Sequence, residues 1–415
     1  MHKKIKPNLE RLRRDIEALS EITDHRADGY TRISFSEEDR MARTHICELM
    51  EKEAELNVRI DAAANMIGYR AGQPNRPCIM IGSHLDTVPG GGRFDGIVGV
   101  IAGLELARRF KEEKIELDHP LEVVVFLAEE PSPFGISTIG SRAMSGKLNK
   151  HDLLNTTDSE GRTLFDAIRN MGGDPDHIGT AQRSGEDILI NLELHIEQGP
   201  LLYKKGIDIG IVTGIAGIYR GHLEVLGRMD HAGTTPMNER KDALTAAAEI
   251  ILALESICGQ IEGMVGTIGT LELYPSAANV VPSKVILGME FRCLKPDKLE
   301  LALAEFNSSV DRIRLKRKID INADIWPSSN PVHFDQKIIA QLAVACRESE
   351  IPYLELSSGA GHDSSHLAEV APTGMLFIPC KEGRSHCPEE WSEFEHIGRG
   401  VEVLANTILT ADKDY

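Results

Sequence analysis

The sequence predicts an α/β protein: a mixed sheet with flanking helices, interrupted by an inserted α+β unit of ferredoxin-like order. Three observations predict it. Short apolar runs at Cys78–Ser83 (CIMIGS), Glu122–Leu127 (EVVVFL) and Ile188–Leu194 (ILINLEL) read as buried strands. Helical spacing recurs around them. From about Gly217 the pattern becomes β-α-β-β-α-β, and strand and helix patterns resume after Pro331. A chain of 415 residues exceeds what one core usually supports. The expected division is a main domain from 1–214 and 330–415 around an insert at 215–329.

In chain order, Leu9–Ile22 and Ser36–Glu55 have helical spacing, with Ser36 placed as N-cap and Asp39 three residues on. Val58–Ala62 and Met66–Arg70 are short strands, and Gly96–Phe110 is a helix. In the insert, Tyr219–Leu226, Gly266–Leu273, Val285–Phe291 and Ile319–Ile325 read as strands, and Asp242–Ile257 and Pro296–Leu315 as helices. The last segment holds a strand at Gly374–Ile378 and a helix near Glu389–Leu409.

Composition narrows the function. Hydrophobic residues make up 41% and charged residues 27%, so the core can be large and a metal would serve chemistry rather than folding. A net charge of −18 argues against nucleic acid and anionic membrane as partners, and an anionic substrate would need a local cation. Seven scattered cysteines without a C-x-x-C pair fit a reducing compartment, hence a cytoplasmic location. Met1–Ser20 has no apolar core of a signal peptide, and no window approaches 18 consecutive apolar residues, so no membrane-spanning helix is expected.

Strand followed by acid or histidine is a recurring pattern. His84, Glu129, Glu130 and His195 all fall at or just past the end of an apparent strand, the edge where open α/β sheets bind ligands. His84-x-Asp86 puts both side chains on one side of an extended segment, so Asp86 can reach the ring nitrogen of His84 that faces away from a metal. A lone His-x-Asp is more often a surface turn. Here an apolar strand precedes it, and the Gly-rich loop PGGGRFDG, with Asp95, follows. Glu129-Glu130 would repel each other unless a cation intervened; one acid as metal ligand and the other as base resolves this. His386 follows the strand GMLFIP. Three His and three carboxylates suit Zn, Mn, Co or Ni better than Ca or Mg. His231, Asn279 and Arg292, in the insert, are substrate-binding candidates; the Arg at a strand end invites a carboxylate.

Taken together, GSHLDTVPGGGRFDGIVGV, LAEE, GSRAMSG, ELHIEQGP, GIVTGIAG, DHAGTTPM, NVVP, SGAGHDSSHLA and SHCPEEW resemble the N-carbamoyl-L-amino-acid amidohydrolase family, with allantoate amidohydrolases and bacterial β-ureidopropionases as close relatives in the two-metal aminoacylase and carboxypeptidase superfamily. The resemblance covers nearly the whole chain. It implies a metallopeptidase-like catalytic domain, an inserted dimerisation or lid domain, and two divalent metal ions per subunit. Asp95 would bridge the metals, Glu130 and His386 would complete one set of ligands, and His84 and His195 the other. Glu129 would be the general base, and Asp86 would orient His84. Gln198, His231, Asn279 and Arg292 would bind substrate, with His231 offered across a homodimer interface. Gly361 and His362 match a loop beside the substrate, and a hinge is implied near Gly214–Gly217.

The resemblance implies hydrolysis of an N-carbamoyl-L-amino acid to the amino acid, carbon dioxide and ammonia. One departure stands out. The family usually follows its two acids with Gly and then Arg-Phe, whereas this chain has Glu130-Pro131-Ser132-Pro133-Phe134. That points to an altered substrate pocket and keeps three alternatives on the same scaffold: a hydrolase of allantoate or another ureido acid, an N-acyl-amino-acid deacylase, and a dipeptidase. A metal-binding dimer without catalysis is the remote alternative, disfavoured because no ligand or base position is degraded.

Overall fold

The computed structural model describes residues 5–414. The chain divides into two compact units, Met1–Thr213 with Phe334–Tyr415, and Gly214–His333.

In the first unit, four strands run parallel and side by side in the order Leu121–Phe126, Cys78–His84, Ile188–Ile196, Thr373–Ile378. Met66–Arg70 and then Asn57–Ile60 extend the sheet antiparallel beyond Leu121–Phe126, and Ile209–Ile215 pairs antiparallel with Thr373–Ile378 on the other side. Every residue of Cys78–His84, Leu121–Phe126 and Thr373–Ile378 is buried. This is why these strands read as continuous apolar runs and not as alternating ones. The helix Ile97–Glu112 is apolar nearly all round and buried, as a helix packed on a sheet within a large core should be. Leu9–Ser20 and Phe394–Asp414 pack against it.

The second unit has four antiparallel strands in the order Asp320–Ser329, Gly217–Leu226, Lys284–Cys293, Val265–Tyr274. Numbered along the chain, that order is 4-1-3-2, and the helices Ala243–Gln260 and Pro296–Arg317 fall between strands 1 and 2 and strands 3 and 4, the ferredoxin-like arrangement. Lys284–Cys293 alternates strictly between half-buried and buried residues, so one sheet face is covered and the other is open. Leu223, Val225, Val285, Leu287 and Phe291 form the covered face with Ala247, Ile250, Leu254, Leu299 and Phe306 of the helices.

Three expectations need correction. The strand Ile188–Ile196 contains His195 instead of ending before it, because the neighbouring Thr373–Ile378 strand continues the parallel pairing to Ile196. The last helix begins at Phe394 and not near Glu389; Glu390 is turned inward and its carboxylate is consumed elsewhere (below). Ser36 caps its helix by accepting from Asp39 N–H, but Asp39 accepts from Phe35 N–H, one residue before the capping-box position. Among the described residues one helix, Ala243–Gln260, is long and apolar enough to cross a membrane by length and composition alone, a test that core helices also pass. Ala243, Ala246, Ala247, Ile250, Leu254, Ile257 and Cys258 are its buried side, packed in the core of the second unit.

Candidate metal centre

The parallel strands bring their C-terminal ends to one edge, and each delivers a polar residue there. His84 closes the Cys78–His84 strand, Glu129 and Glu130 follow Leu121–Phe126, and His195 lies one residue before the end of Ile188–Ile196. His386 arrives on the loop after Thr373–Ile378. Asp95 comes from the Gly-rich loop that leads into the buried helix. All are buried except His386, whose side chain is 48% exposed.

Asp95 is the centre. Its Oδ1 lies 3.0 Å from Nε2 of His195 and 3.8 Å from Nε2 of His84; its Oδ2 lies 3.0 Å from Nε2 of His386. Glu130 is 3.4 Å from the His386 nitrogen, and Glu129 is 3.7 Å from that of His84. Two ligand triads result, His84–Asp95–His195 and Asp95–Glu130–His386, and they share Asp95.

The local chemistry fits divalent metals. Nδ1 of His84 is tied to the carbonyl of Asp86 and Nδ1 of His195 to the carbonyl of Ile196, both at 2.9 Å. Each Nδ1 therefore carries a proton and each Nε2 is the nitrogen turned towards Asp95; with Nε2 unprotonated this is the tautomer that a metal ligand needs. Gly96 N–H donates to Nε2 of His195, as this tautomer allows. Gly96 itself has φ +69°, and a Cβ there would fall 2.3 Å from Nε2 of His84, so only glycine leaves that nitrogen open. The two carboxylates and three imidazoles of the triads form a mixed donor set for a transition metal.

The titration behaviour also calls for cations. Burial and then the charges of Glu130, Asp363, Asp86 and Asp95 hold the Glu129 carboxyl well above the usual range, and burial with Asp95 pushes Glu130 up to about 8. Burial opposes ionisation of Asp95 too, but His195, His386 and His84 outweigh it and hold this carboxyl well below its ordinary value. The hydrogen bond to Asp95 is the main force lifting His386 to about 9. Burial would lower His195, yet Asp95 lifts it to about 9. A divalent cation at each triad would balance these carboxylates.

Asp86 does not orient His84 in the expected way. Its carbonyl holds the ring, whereas its carboxylate is 3.6 Å away. That carboxylate instead accepts the backbone N–H groups of Glu129 and Glu130 and the hydroxyl of Ser34. It pins the turn that carries both acids. The prolines after them leave a tight loop: Ser132 bonds to Ile136, and Thr138 N–H donates back to Glu129. Pro131 and Pro133 themselves face solvent.

The substrate candidates fall into two groups. Gln198, with φ +56°, donates its amide to Asp95 at 2.7 Å, and its buried Oε1 has no partner. His362 is only 2% exposed; its ring packs 4.5 Å from that of His195, and its Nε2 meets Ser358 Oγ at 2.9 Å. Its side chain backs a histidine instead of lining an opening, while Gly361 is exposed. His231 and Asn279 lie in the second unit, joined by the short pairing of Asp230–His231 with Val280–Val281 and by Ala232 N–H to the Asn279 carbonyl. Nδ1 of His231 accepts Gly233 N–H, so Nε2 carries its proton. Arg292, also in that unit, is paired with Glu290 at 2.8 Å.

Sequence reasoning missed several supporting groups. Glu193 accepts from Ser83 and Ser364. It stands two residues before His195 on a strand, so period-two reading could have placed it on the same face. Asp363 accepts from Ser141, and Glu390 holds the Asp95 loop. The only signal for Glu390 was the glycine run of that loop.

Comparison with known proteins agrees with this geometry. The model of "Peptidase family M20/M25/M40" matches residues 80–410. An N-carbamoyl-L-amino acid amidohydrolase of Geobacillus stearothermophilus is 38% identical over 400 residues, 96% of this chain and 97% of that protein. A ureidoglycolate hydrolase of Arabidopsis thaliana is 36% identical, over 97% of this chain and 86% of its own length. The crystal structure of a hydantoinase/carbamoylase family amidase from Burkholderia ambifaria superposes with a TM-score of 0.91 at 32% identity, covering 99% of this chain and 98% of that one. Fold, ligand geometry and relatives together define a hydrolase, of the amidohydrolase kind. More narrowly, the chain belongs to peptidase family M20/M25/M40.

Proposed function

We propose that this protein hydrolyses the carbamoyl C–N bond of an N-carbamoyl-L-amino acid, giving the L-amino acid, carbon dioxide and ammonia, with two divalent metal ions at the Asp95 centre. The observation that carries the reading is Asp95 itself, shared by two triads with an unused acid, Glu129, alongside. Full-length similarity to carbamoyl-amino-acid hydrolases supports the substrate class.

His84 and His195 would hold one ion, Glu130 and His386 the other, and Asp95 both. Bound there, the ions would supply Lewis-acid chemistry, polarising the scissile carbonyl and making water more acidic. Glu129 takes a proton from the attacking water and returns it to the leaving nitrogen. Its buried, carboxylate-rich surroundings raise its proton affinity, which suits a group that must both accept and donate. The Nε2–H of the partner subunit's His231 hydrogen-bonds the carbonyl oxygen as negative charge develops. Arg292, with Asn279, receives the substrate carboxylate, exchanging Glu290 for it. Gln198 swings from Asp95 to the substrate. Metal identity among Zn, Mn, Co and Ni follows from loading, since the donor set accepts each.

The dimer would form through the second unit. Its edge strand Val265–Tyr274 is ten residues long and exposes Val265, Leu271 and Tyr274, an unpaired edge suited to a second copy. A cytoplasmic setting fits seven cysteines, all of them free thiols.

A panel of N-carbamoyl-L-amino acids, ureidoglycolate, allantoate, N-acetyl-amino acids and dipeptides, each with Mn, Co, Ni or Zn, tests the assignment. Ammonia release greatest from the carbamoyl substrates is expected. Preference for ureidoglycolate or allantoate would favour the second reading, a ureido-acid hydrolase, for which the plant relative and the Pro131–Pro133 loop speak. Turnover of dipeptides or acetyl substrates alone would overturn both.

A further inference from the structure

Glu390 is 1% exposed, and every oxygen of its side chain is used on the metal centre's own scaffold. Oε1 accepts the backbone N–H groups of Phe94 at 2.9 Å and Asp95 at 3.1 Å. Oε2 accepts the hydroxyl of Ser385 at 2.8 Å, and that hydroxyl is also 3.3 Å from Oδ2 of Asp95. One carboxylate thus ties together two loops almost 300 positions apart in sequence: the one that carries the bridging ligand and the one that carries His386.

Two independent features show that the protein is built around this contact. A Cβ at Gly92 would lie 2.1 Å from both the carboxyl carbon and Oε1 of Glu390, so the Gly-rich loop leaves space for this group. His386 has φ +55°, a conformation that is strained for a non-glycine residue and persists only where its surroundings impose it. The adjoining packing reinforces the join: the Phe94 ring meets Trp391 edge-on at 5.3 Å, and Arg93 lies over the rings of Tyr30 and Trp391. Asp86 provides the same clamp for Glu129 and Glu130, down to its serine partner.

We propose that Glu390, through Ser385, is a positioning residue that sets the Asp95–His386 spacing and so controls the affinity of one metal position, that of Asp95, Glu130 and His386. The His84–Asp95–His195 position depends on it less, because its two histidines are fixed by their own strands and by the carbonyls of Asp86 and Ile196, whereas His386 rides on the loop that Glu390 and Ser385 hold. This inference rests on the two-metal reading above.

The test is equilibrium dialysis of Co(II) into chelator-stripped full-length protein, read by metal analysis and by the visible d–d absorption of bound Co(II). Wild type should take up two equivalents. Glu390→Leu should keep one tight equivalent and weaken the second by about 10–100-fold, with loss of part of the absorption. Glu390→Gln keeps an acceptor for the two N–H groups and should restore the second equivalent. Ser385→Ala keeps the clamp on Asp95 but cuts the link to His386, and should also weaken the second equivalent; it carries the test if Glu390→Leu does not fold. Uptake of fewer than two equivalents by wild type would overturn the two-metal reading and this inference with it. Two equivalents in wild type, with unchanged affinities or equal weakening of both in Ser385→Ala and folded Glu390→Leu, would overturn the inference alone.

Discussion

Asp95, the residue on which both triads depend, is 4% exposed and has histidine nitrogens 3.0 Å from each of its oxygens. Glu129 stands beside this group without joining either triad. Its replacement therefore separates binding from chemistry. Glu129→Gln should retain both metals and a nearly unchanged KM, while kcat for carbamoyl hydrolysis falls by about 10²–10⁴-fold. Steady-state kinetics on metal-loaded protein, with metal content measured in parallel, would check this; full activity with both metals bound would remove Glu129 as the base. The residue types at this site were legible in the sequence because each ends a buried strand or follows one. The partners of those residues were not. That Asp86 spends its carboxylate on the Glu129 and Glu130 backbone, and leaves His84 to its carbonyl, depends on a neighbouring strand bringing those N–H groups within reach.

At the scale of elements, the short helix Ser364–Leu367 shows how a half-buried imidazole couples packing to pH. His366 meets Thr138 Oγ1 at 3.0 Å and Lys147 Nζ at 3.2 Å. Burial, then the charges of Arg142 and Lys147, lowers its pKa from 6.5 to about 3. The folded protein keeps this ring neutral while the unfolded chain protonates near 6.5. Its contribution is thus present above pH 6.5 and is lost as pH falls from there toward 3, at about 1.4 kcal/mol per unit. His366→Gln should flatten that part of the acid destabilisation. Urea unfolding at pH 7 and pH 5.5 would show it as a smaller drop in stability for the variant than for wild type; equal drops would count against the assignment. Element type was readable from periodicity, as the strands Cys78–His84 and Leu121–Phe126 illustrate. Element ends were less so. The last helix starts five residues after Glu389, because the side chain of Glu390 is committed to the Asp95 loop, a contact with no local sequence signal.

At the scale of the whole molecule, the proposed assembly predicts that dimer and activity are lost together. Leu271→Arg puts a charge on the exposed edge strand Val265–Tyr274, where Leu271 is 46% exposed. Sedimentation should shift from dimer to monomer, and kcat should fall by about 10²-fold through loss of the partner subunit's His231. A monomer with full activity would place His231 within its own subunit or outside the reaction. The sequence by itself determined the α/β class, the ferredoxin-like order of the insert and the candidate ligands. Hydrophobic periodicity and strand-end placement are local properties written into consecutive residues. Only the tertiary structure decided the histidine tautomers, the backing of His195 by His362, the turn pinned by Asp86 and the clamp at Glu390. Those depend on hydrogen bonds between segments far apart in the chain, whose directions are fixed only when parallel strands align in register.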